Sequence, residues 1–147
     1  MNPIRPMVLA DLDGVMVIEN QCFTDPWSRK GFEESLEQES ARLLVVENDE
    51  GSVAGYCCIY QVMDEGEIVN VAVSPEYRKQ GYGARMVREL MERSGEKGIC
   101  RFFLEVRESN TAGKRLYESL GFSVCGIRRG FYEHPKEDAV LMTWQKD

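Results

Sequence analysis

The spacing of apolar residues along the chain follows two periods, one typical of helices and one typical of strands. Helical spacing covers 10–23 and 84–97, Asn110 precedes another such stretch that ends at Gly121, and Ser28 is a predicted cap for a helix reaching about Glu39. Shorter apolar or alternating runs predict strands at 4–8, 43–47, 54–63, 67–73, 100–107, 124–129 and 139–144. Polar turns at 48–52 and 64–66 separate neighbouring strands. The predicted order, β–α–α–β–β–β–α–β–α–β–β, indicates an α/β fold in which helices cover one sheet.

One junction between a strand and a helix carries the most chemical information. The apolar run 68–73 ends in a proline turn, and the glycine-containing loop 78–83 leads directly into the helix that begins at Ala84. Backbone N–H groups of such a loop converge at a helix N-terminus, where the dipole favours an anion, and Gly81 and Gly83 permit close approach. The loop therefore predicts a phosphate or pyrophosphate site, and the alternative is a glycine-rich turn without a ligand.

Two common nucleotide motifs do not fit this loop. A Walker A motif requires Lys and Ser or Thr after its last glycine, but Ala84 and Arg85 follow Gly83. A Rossmann fingerprint requires a third glycine where this chain has Met86. The pattern Arg-x-x-Gly-x-Gly after a strand instead resembles the pyrophosphate loop of the GNAT superfamily of N-acetyltransferases. That resemblance implies acetyl-CoA as cosubstrate, with no metal, bound by Val71, Ala72, Val73, Arg78, Lys79, Gln80, Gly81, Tyr82, Gly83, Ala84 and Asn110.

Further segments extend the resemblance over residues 5 to 144. The runs 104–110 and 116–122 look like the strand-and-helix hallmark of the same superfamily. The supporting stretches 18–19, 22–23, 26–28, 127–132 and 137–139 resemble those of its ribosomal-protein-alanine N-acetyltransferases, the RimI type. The resemblance implies one domain spanning 1–147, with a mixed, mainly antiparallel central sheet flanked by about four helices.

The resemblance also assigns roles in acetyl transfer. Glu105 matches the general base of the family and Tyr117 matches its general acid, in a direct attack without an acyl-enzyme. A strand carboxylate within hydrogen-bond reach is able to accept the amine proton, and a phenol is able to protonate a leaving thiolate. The alternatives are that Glu105 is the solvated residue of a half-buried strand and that Tyr117 belongs to the core. Asn110 has two compatible roles, helix cap and cofactor contact.

Two aromatic residues, Trp27 and Tyr132, match positions that wall the peptide groove in relatives. They are alternatively core and edge aromatics. The expected acceptor is a protein N-terminus, specifically the N-terminal alanine of small-subunit ribosomal protein eighteen. At pH 7 an α-amine with a pKa of about 7.7–8.0 needs roughly 1 kcal/mol to lose its proton and a lysine about 5 kcal/mol, which favours the α-amine. A small-molecule amine acetyltransferase and a non-catalytic acyl-CoA-binding regulator are the competing interpretations.

Composition narrows the partners. The 147 residues carry 18 Lys and Arg against 25 Asp and Glu, a net charge of −7 that argues against direct nucleic-acid binding and attracts cationic substrates, although it also serves ordinary solubility. Five cysteines without a Cys-x-x-Cys pair and a single histidine predict reduced thiols and no metal centre. No run approaches the roughly 20 apolar residues of a membrane span, and no apolar signal region is evident, so we expect a cytoplasmic protein.

Overall fold

The computed structural model describes residues 2–146, and its strands form one seven-stranded sheet. The strands are β1 (Ile4–Pro6), β2 (Ala41–Glu47), β3 (Val53–Val62), β4 (Glu65–Val73), β5 (Arg101–Arg107), β6 (Ser123–Glu133) and β7 (Lys136–Gln145). The α-helices are α1 (Leu12–Cys22), α2 (Arg29–Glu37), α3 (Tyr82–Gly95) and α4 (Thr111–Ser119), with short 3-10 turns at Leu9–Asp11 and Pro75–Tyr77. The element order predicted from the sequence is confirmed.

The sheet is mixed and mainly antiparallel, as expected. Its strand order is β1-β2-β3-β4-β5-β7-β6, and within it β4 and β5 form the parallel pair. Parallel neighbours need a long crossover, which α3 supplies between them. No helix within residues 2–146 is both long and apolar enough to cross a membrane.

Two apolar cores lie on opposite faces of the sheet. Helices α1 and α2 pack on one face, where Leu12, Val15 and Phe32 are fully buried. Helices α3 and α4 pack on the other face, where Met86 and Leu90 are fully buried. Because side chains alternate along a strand, each face receives every second residue of the sheet, and we call these the α1–α2 face and the α3–α4 face.

The predicted caps are confirmed, and several boundaries are corrected. The Ser28 hydroxyl accepts from the Gly31 N–H at 3.0 Å, and the Asn110 side chain accepts from the Gly113 N–H at 2.9 Å. The predicted turn at 64–66 is wrong, because its last two residues belong to β4 and the turn is Met63 and Asp64. The last two strands are longer than predicted and form a hairpin, since pairing between them extends past the apolar positions that marked them in the sequence.

Candidate active site

Helix α3 begins in a way that leaves its first N–H groups available to a ligand. Gly81 is its N-cap residue and has a φ of 83°, a left-handed conformation that glycine adopts without strain. No side chain from residues 2–146 caps this end, and the Arg85 N–H donates the hydrogen bond that closes the first turn, to the Gly81 carbonyl. The N–H groups of Tyr82, Gly83 and Ala84 therefore point out of the helix end, where the dipole favours an anion.

Side chains of the loop before α3 turn back toward the protein. Arg78 donates to the Val73 carbonyl at 3.3 Å and to the Cys22 sulfur at 3.1 Å. The Gln80 side-chain amide donates to the Glu76 backbone carbonyl at 3.3 Å. Lys79 is exposed and has a φ of 64°, which is uncommon for a residue other than glycine. The loop therefore offers its backbone, more than its side chains, to an anion at the start of α3.

Strands β4 and β5 separate halfway along, and we call the opening between them the strand gap. Their parallel pairing ends at Ile68, whereas β4 continues to Val73 and β5 stays paired with β7 to its end. A bulge at Val69 shifts the register of β4 against β3 at this point. Ala72 is buried on the α1–α2 face, while Val71 and Val73 pack partly against the opposite core. Beyond the last pair, the backbone groups of β4 on this side no longer pair with β5, and the Val73 carbonyl accepts from Arg78 instead.

Glu105 lies on β5 at the edge of the strand gap, one residue beyond the last pair with β4. Its side chain is on the α1–α2 face and only 17% exposed, so it is not simply a solvated surface residue. The Arg128 guanidinium lies 3.5 Å from its Oε1. Its Oε2 is buried and has no hydrogen-bond partner within residues 2–146. A buried acceptor without a partner is rare in folded proteins, so this oxygen marks a place where a ligand or water donates.

Tyr117 lies on α4 and packs in the opposite core. It is 8% exposed, and its ring meets Phe122 edge-on at 5.8 Å. Burial raises the pKa of the Tyr117 hydroxyl well above its usual range, and the neighbouring Cys57 and Tyr132 raise it further. The hydroxyl therefore remains protonated at neutral pH and is able to donate. Glu105 lies on the other face of the sheet, so the structure does not bring the two side chains together in one pocket.

Trp27 is held where the loop between α1 and α2 crosses the sheet. Its backbone N–H donates to Oε2 of Glu19 at 2.8 Å. The other oxygen of Glu19 accepts from the Tyr56 hydroxyl at 2.6 Å and from the Asn70 side-chain amide at 3.0 Å. Glu19 is 1% exposed, so this carboxylate ties the loop to β3 and β4 from inside the protein. The Trp27 ring packs on Phe32 at 5.1 Å and lines a recess of about 280 Å³.

Tyr132 lies on β6 near the turn that joins it to β7. The Arg107 guanidinium stacks over its ring at 4.2 Å. Burial raises the pKa of Tyr132, and the Glu105 carboxylate raises it further, which places this phenol within electrostatic reach of the candidate base. The turn itself reaches the α1–α2 loop, where His134 Nδ1 lies 3.0 Å from the Asp25 carboxylate. We call the region bounded by these two contacting loops the loop groove, because it holds Trp27 and Tyr132, the two aromatic residues expected to wall a peptide groove.

Four polar residues of this region are missing from the sequence-based site, namely Glu19, Asn70, Arg107 and Arg128. A signal for Glu19 was present, because it follows Leu12 and Val15 at the apolar helical spacing and is buried with them. Both arginines belong to stretches that resemble relatives, 104–110 and 127–132, but only strand pairing places them beside Tyr132 and Glu105. Within residues 2–146, no group of three or more His, Cys, Asp or Glu side chains is arranged to hold a metal ion.

Helix α3 starts from a glycine loop without a side-chain cap, beside two parallel strands that separate. These features are typical of the acyltransferase class of protein. Residues 12–122 match the model of the Acetyltransferase (GNAT) family, and the chain belongs to that family. The expected family and fold are therefore confirmed.

Individual relatives are similar over nearly their whole length. The chain is 44% identical over 140 residues to a candidate [ribosomal protein bS18]-alanine N-acetyltransferase of Bacillus subtilis, covering 95% of this chain and 92% of the relative. It is 35% identical over 144 residues to the [ribosomal protein bS18]-alanine N-acetyltransferase of Escherichia coli, covering 97% and 96%. The crystal structure of the corresponding E. coli enzyme superposes with a TM-score of 0.89 at 34% identity, over 99% of this chain and 94% of that one. Arabidopsis thaliana NAA60, solved in complex with acetyl-CoA, shares the fold, with a TM-score of 0.89 at 17% identity over 99% and 98% of the chains.

Proposed function

We propose that this protein transfers the acetyl group of acetyl-CoA to a protein N-terminus in the cytoplasm, specifically to the N-terminal alanine of ribosomal protein bS18. The observation that carries the proposal is the half-buried Glu105 carboxylate at the edge of the strand gap, whose buried Oε2 has no hydrogen-bond partner within residues 2–146. Similarity to the B. subtilis and E. coli relatives supports the choice of acceptor. The net charge of −7 suits a basic protein substrate, and no nucleic acid or membrane takes part in the proposed reaction.

Two features of the chain fit the proposed cosubstrate. The uncapped N–H groups of Tyr82, Gly83 and Ala84 suit a pyrophosphate, and the unpaired edge of β4 at Val71 and Val73 suits an extended chain with amide groups. When bound, acetyl-CoA supplies an activated acetyl thioester. Asn110 follows β5 and already caps α4 through its side-chain oxygen, and its side-chain amide nitrogen is its further contact with the cosubstrate in this proposal.

Glu105 is the proposed general base. Its unpartnered Oε2 accepts a proton from the incoming ammonium group, directly or through one water, and the free amine then attacks in a ternary complex. Arg128 holds the other oxygen at 3.5 Å and so orients the carboxylate toward the groove. An α-amine suits this arrangement because its deprotonation at pH 7 requires roughly 1 kcal/mol, against about 5 kcal/mol for lysine.

Tyr117 is the proposed general acid. The buried phenol lies on the far side of the strand gap from Glu105, and it donates its proton to the departing thiolate. Its raised pKa keeps the phenol protonated, and so available as a hydrogen-bond donor, when the thiolate forms beside it. Trp27 and Tyr132 are the proposed walls that hold the first residues of the peptide, and a small first side chain suits the requirement that the amine reach the thioester carbonyl to within about 3–3.5 Å.

The experiment compares three acceptors at equal concentration. They are a basic peptide that begins with Ala, the same peptide with a blocked α-amine and a free lysine, and spermidine. We expect the first to exceed both others by at least about 100-fold in kcat/KM, since general base catalysis is worth roughly 10²–10⁴ and serves only a correctly placed amine. Equal or better activity on spermidine contradicts the proposal and assigns the protein to small-molecule acetylation.

A matched pair of variants tests the base. Glu105→Gln should lower kcat on the Ala peptide by roughly 10²–10⁴, and the deficit should shrink as pH rises because the amine then loses its proton unaided. Glu108→Gln makes the same change three residues away, at an exposed side chain paired with Lys114, and should keep near wild-type kcat. Near wild-type turnover of Glu105→Gln rejects the assignment.

A further inference from the structure

Glu67 is a second acidic side chain on the same face of the sheet as Glu105. On β4 it is the Cα partner of Phe103, which precedes Glu105 by two residues on β5. Glu67, Phe103 and Glu105 alternate with buried residues of the α3–α4 core, so all three lie on the α1–α2 face. Glu105 is therefore the diagonal neighbour of Glu67 on the adjacent strand, and its charge acts on the Glu67 carboxylate.

The charges around the two carboxylates are unequal. Arg128, from β6, lies 3.5 Å from Glu105 and is the cation that also acts on Glu67. Burial and then the Glu105 charge raise the pKa of Glu67, and Arg128 only partly opposes them. On the other side of β4, the Cα partner of Glu67 is Tyr60, whose hydroxyl is engaged with Ser35. Tyr132 also faces the pair, and the Glu105 charge raises its pKa.

The contrast with Glu65 shows that this arrangement is specific to position 67. Glu65 lies on the same strand and the same face, two residues before Glu67. Its carboxylate is 44% exposed and forms an ion pair with Arg101 at 2.8 Å. Glu65 is therefore compensated by its own arginine, whereas Glu67 and Glu105 together face one.

We propose that Glu67 is a positioning residue of the active site, whose negative charge, together with Glu105, draws the substrate ammonium group to the strand gap and, as a like charge, strengthens Glu105 as a proton acceptor. The inference rests on the proposed acetylation of a protein N-terminus. With a pKa of about 7.7–8.0, that α-amine arrives mostly as a cation at pH 7. Glu105 and Arg128 alone sum to zero charge, so the attraction for a cation comes from Glu67.

The test measures kcat/KM for the Ala peptide between pH 5 and 9 in wild type, Glu67→Gln, Glu67→Asp and Glu65→Gln. Removing the Glu67 charge should raise KM about three- to tenfold and shift the acid limb of the profile down by about 0.5–1.5 pH units. That range corresponds to one like charge roughly 8 Å away, with an effective dielectric constant between about 80 and 20. Glu67→Asp should restore the limb to within about 0.3 units, because it restores the charge, and Glu65→Gln should leave it unchanged.

Three results overturn the inference. They are an acid limb in Glu67→Gln that matches wild type, an equal shift in Glu65→Gln, and a loss of acetyl-CoA affinity in Glu67→Gln by calorimetry, which would mean a structural role. Failure of the proposed function gives a different result, since wild type would then acetylate no peptide N-terminus. If wild type is active, Glu105→Gln is inactive and the acid limb of Glu67→Gln matches that of wild type, the result rejects the role of Glu67 and keeps the proposed function.

Discussion

Replacing Glu19 by Gln tests how the loop that carries Trp27 is held. The carboxylate accepts three hydrogen bonds, from Trp27 through one oxygen and from Tyr56 and Asn70 through the other. Glutamine offers one acceptor oxygen and one NH₂ group. Whichever way the amide lies, its NH₂ group faces at least one group that donates in the native protein, and the remaining bonds lose their charge. Because the site is 1% exposed, we expect Glu19→Gln to lower the free energy of unfolding by about 1–3 kcal/mol.

The same change should affect one substrate and not the other. Weakening the bond to the Trp27 N–H loosens a wall of the loop groove, so we expect KM for the Ala peptide to rise several-fold, roughly threefold or more. Acetyl-CoA is proposed to bind across the sheet at α3, so its Kd should stay within about twofold of wild type. Urea unfolding gives the stability, calorimetry gives the Kd, and initial rates at saturating acetyl-CoA give KM.

Glu33→Gln is the matched control, since it makes the same chemical change at an exposed residue of α2. It should alter stability by less than about 0.5 kcal/mol and leave both substrates unaffected. An unchanged urea midpoint in Glu19→Gln would refute the hydrogen-bond argument. A lower midpoint with an unchanged peptide KM would refute the idea that Glu19 positions the groove.

Two further predictions concern the loop at α3 and the thiols. Gly81→Val should weaken acetyl-CoA binding by roughly tenfold or more, because the φ of 83° costs a β-branched residue about 1–3 kcal/mol, whereas Gly95→Val at the open far end of α3 should keep wild-type affinity by calorimetry. Cys57 and Cys58 should resist a thiol reagent at pH 8 until the protein unfolds, because burial excludes the reagent and raises the pKa of Cys58 to about 12. Labelling is located by mass spectrometry, with the exposed Cys125 as the positive control. Rapid labelling of either buried cysteine in the native protein would contradict their burial.

Sequence reasoning succeeded where the determinants are local. Ser28 and Asn110 cap helices because their side chains accept from N–H groups three residues away, a distance that sequence spacing alone determines. Gly81, the residue before α3, has a positive φ, which its lack of a Cβ permits and which the sequence therefore indicates locally. Gly83 is different, since its φ is not positive and an added Cβ would lie 3.5 Å from Leu116, an ordinary contact distance, so packing within the protein does not require glycine there.

Sequence reasoning failed where long-range pairing decides. The acidic segment with Glu65 and Gly66 was interpreted as a turn, yet Gly66 is buried and a Cβ there would lie 2.6 Å from Ile59. The bulge at Val69 is hidden in a continuous apolar run, because such a run does not reveal which residues face which core. Arg128 reaches Glu105 because their strands, β6 and β5, both pair with β7, and no local pattern encodes this strand order.

The placement of Glu105 and Tyr117 on opposite faces has a chemical consequence. An acid and a base in one pocket would hydrogen-bond to each other and compete with the substrate for both groups. Here the sheet separates them, so Glu105 keeps an unpartnered oxygen toward the loop groove while Tyr117 keeps its proton among apolar side chains. The bulge at Val69 makes this possible, since it turns β4 away from β5 after four pairs and opens the strand gap between the faces. In the proposed mechanism, closing that gap would leave both residues in place and still separate the amine from the thioester, so the proposed geometry depends on strand pairing as much as on the two side chains.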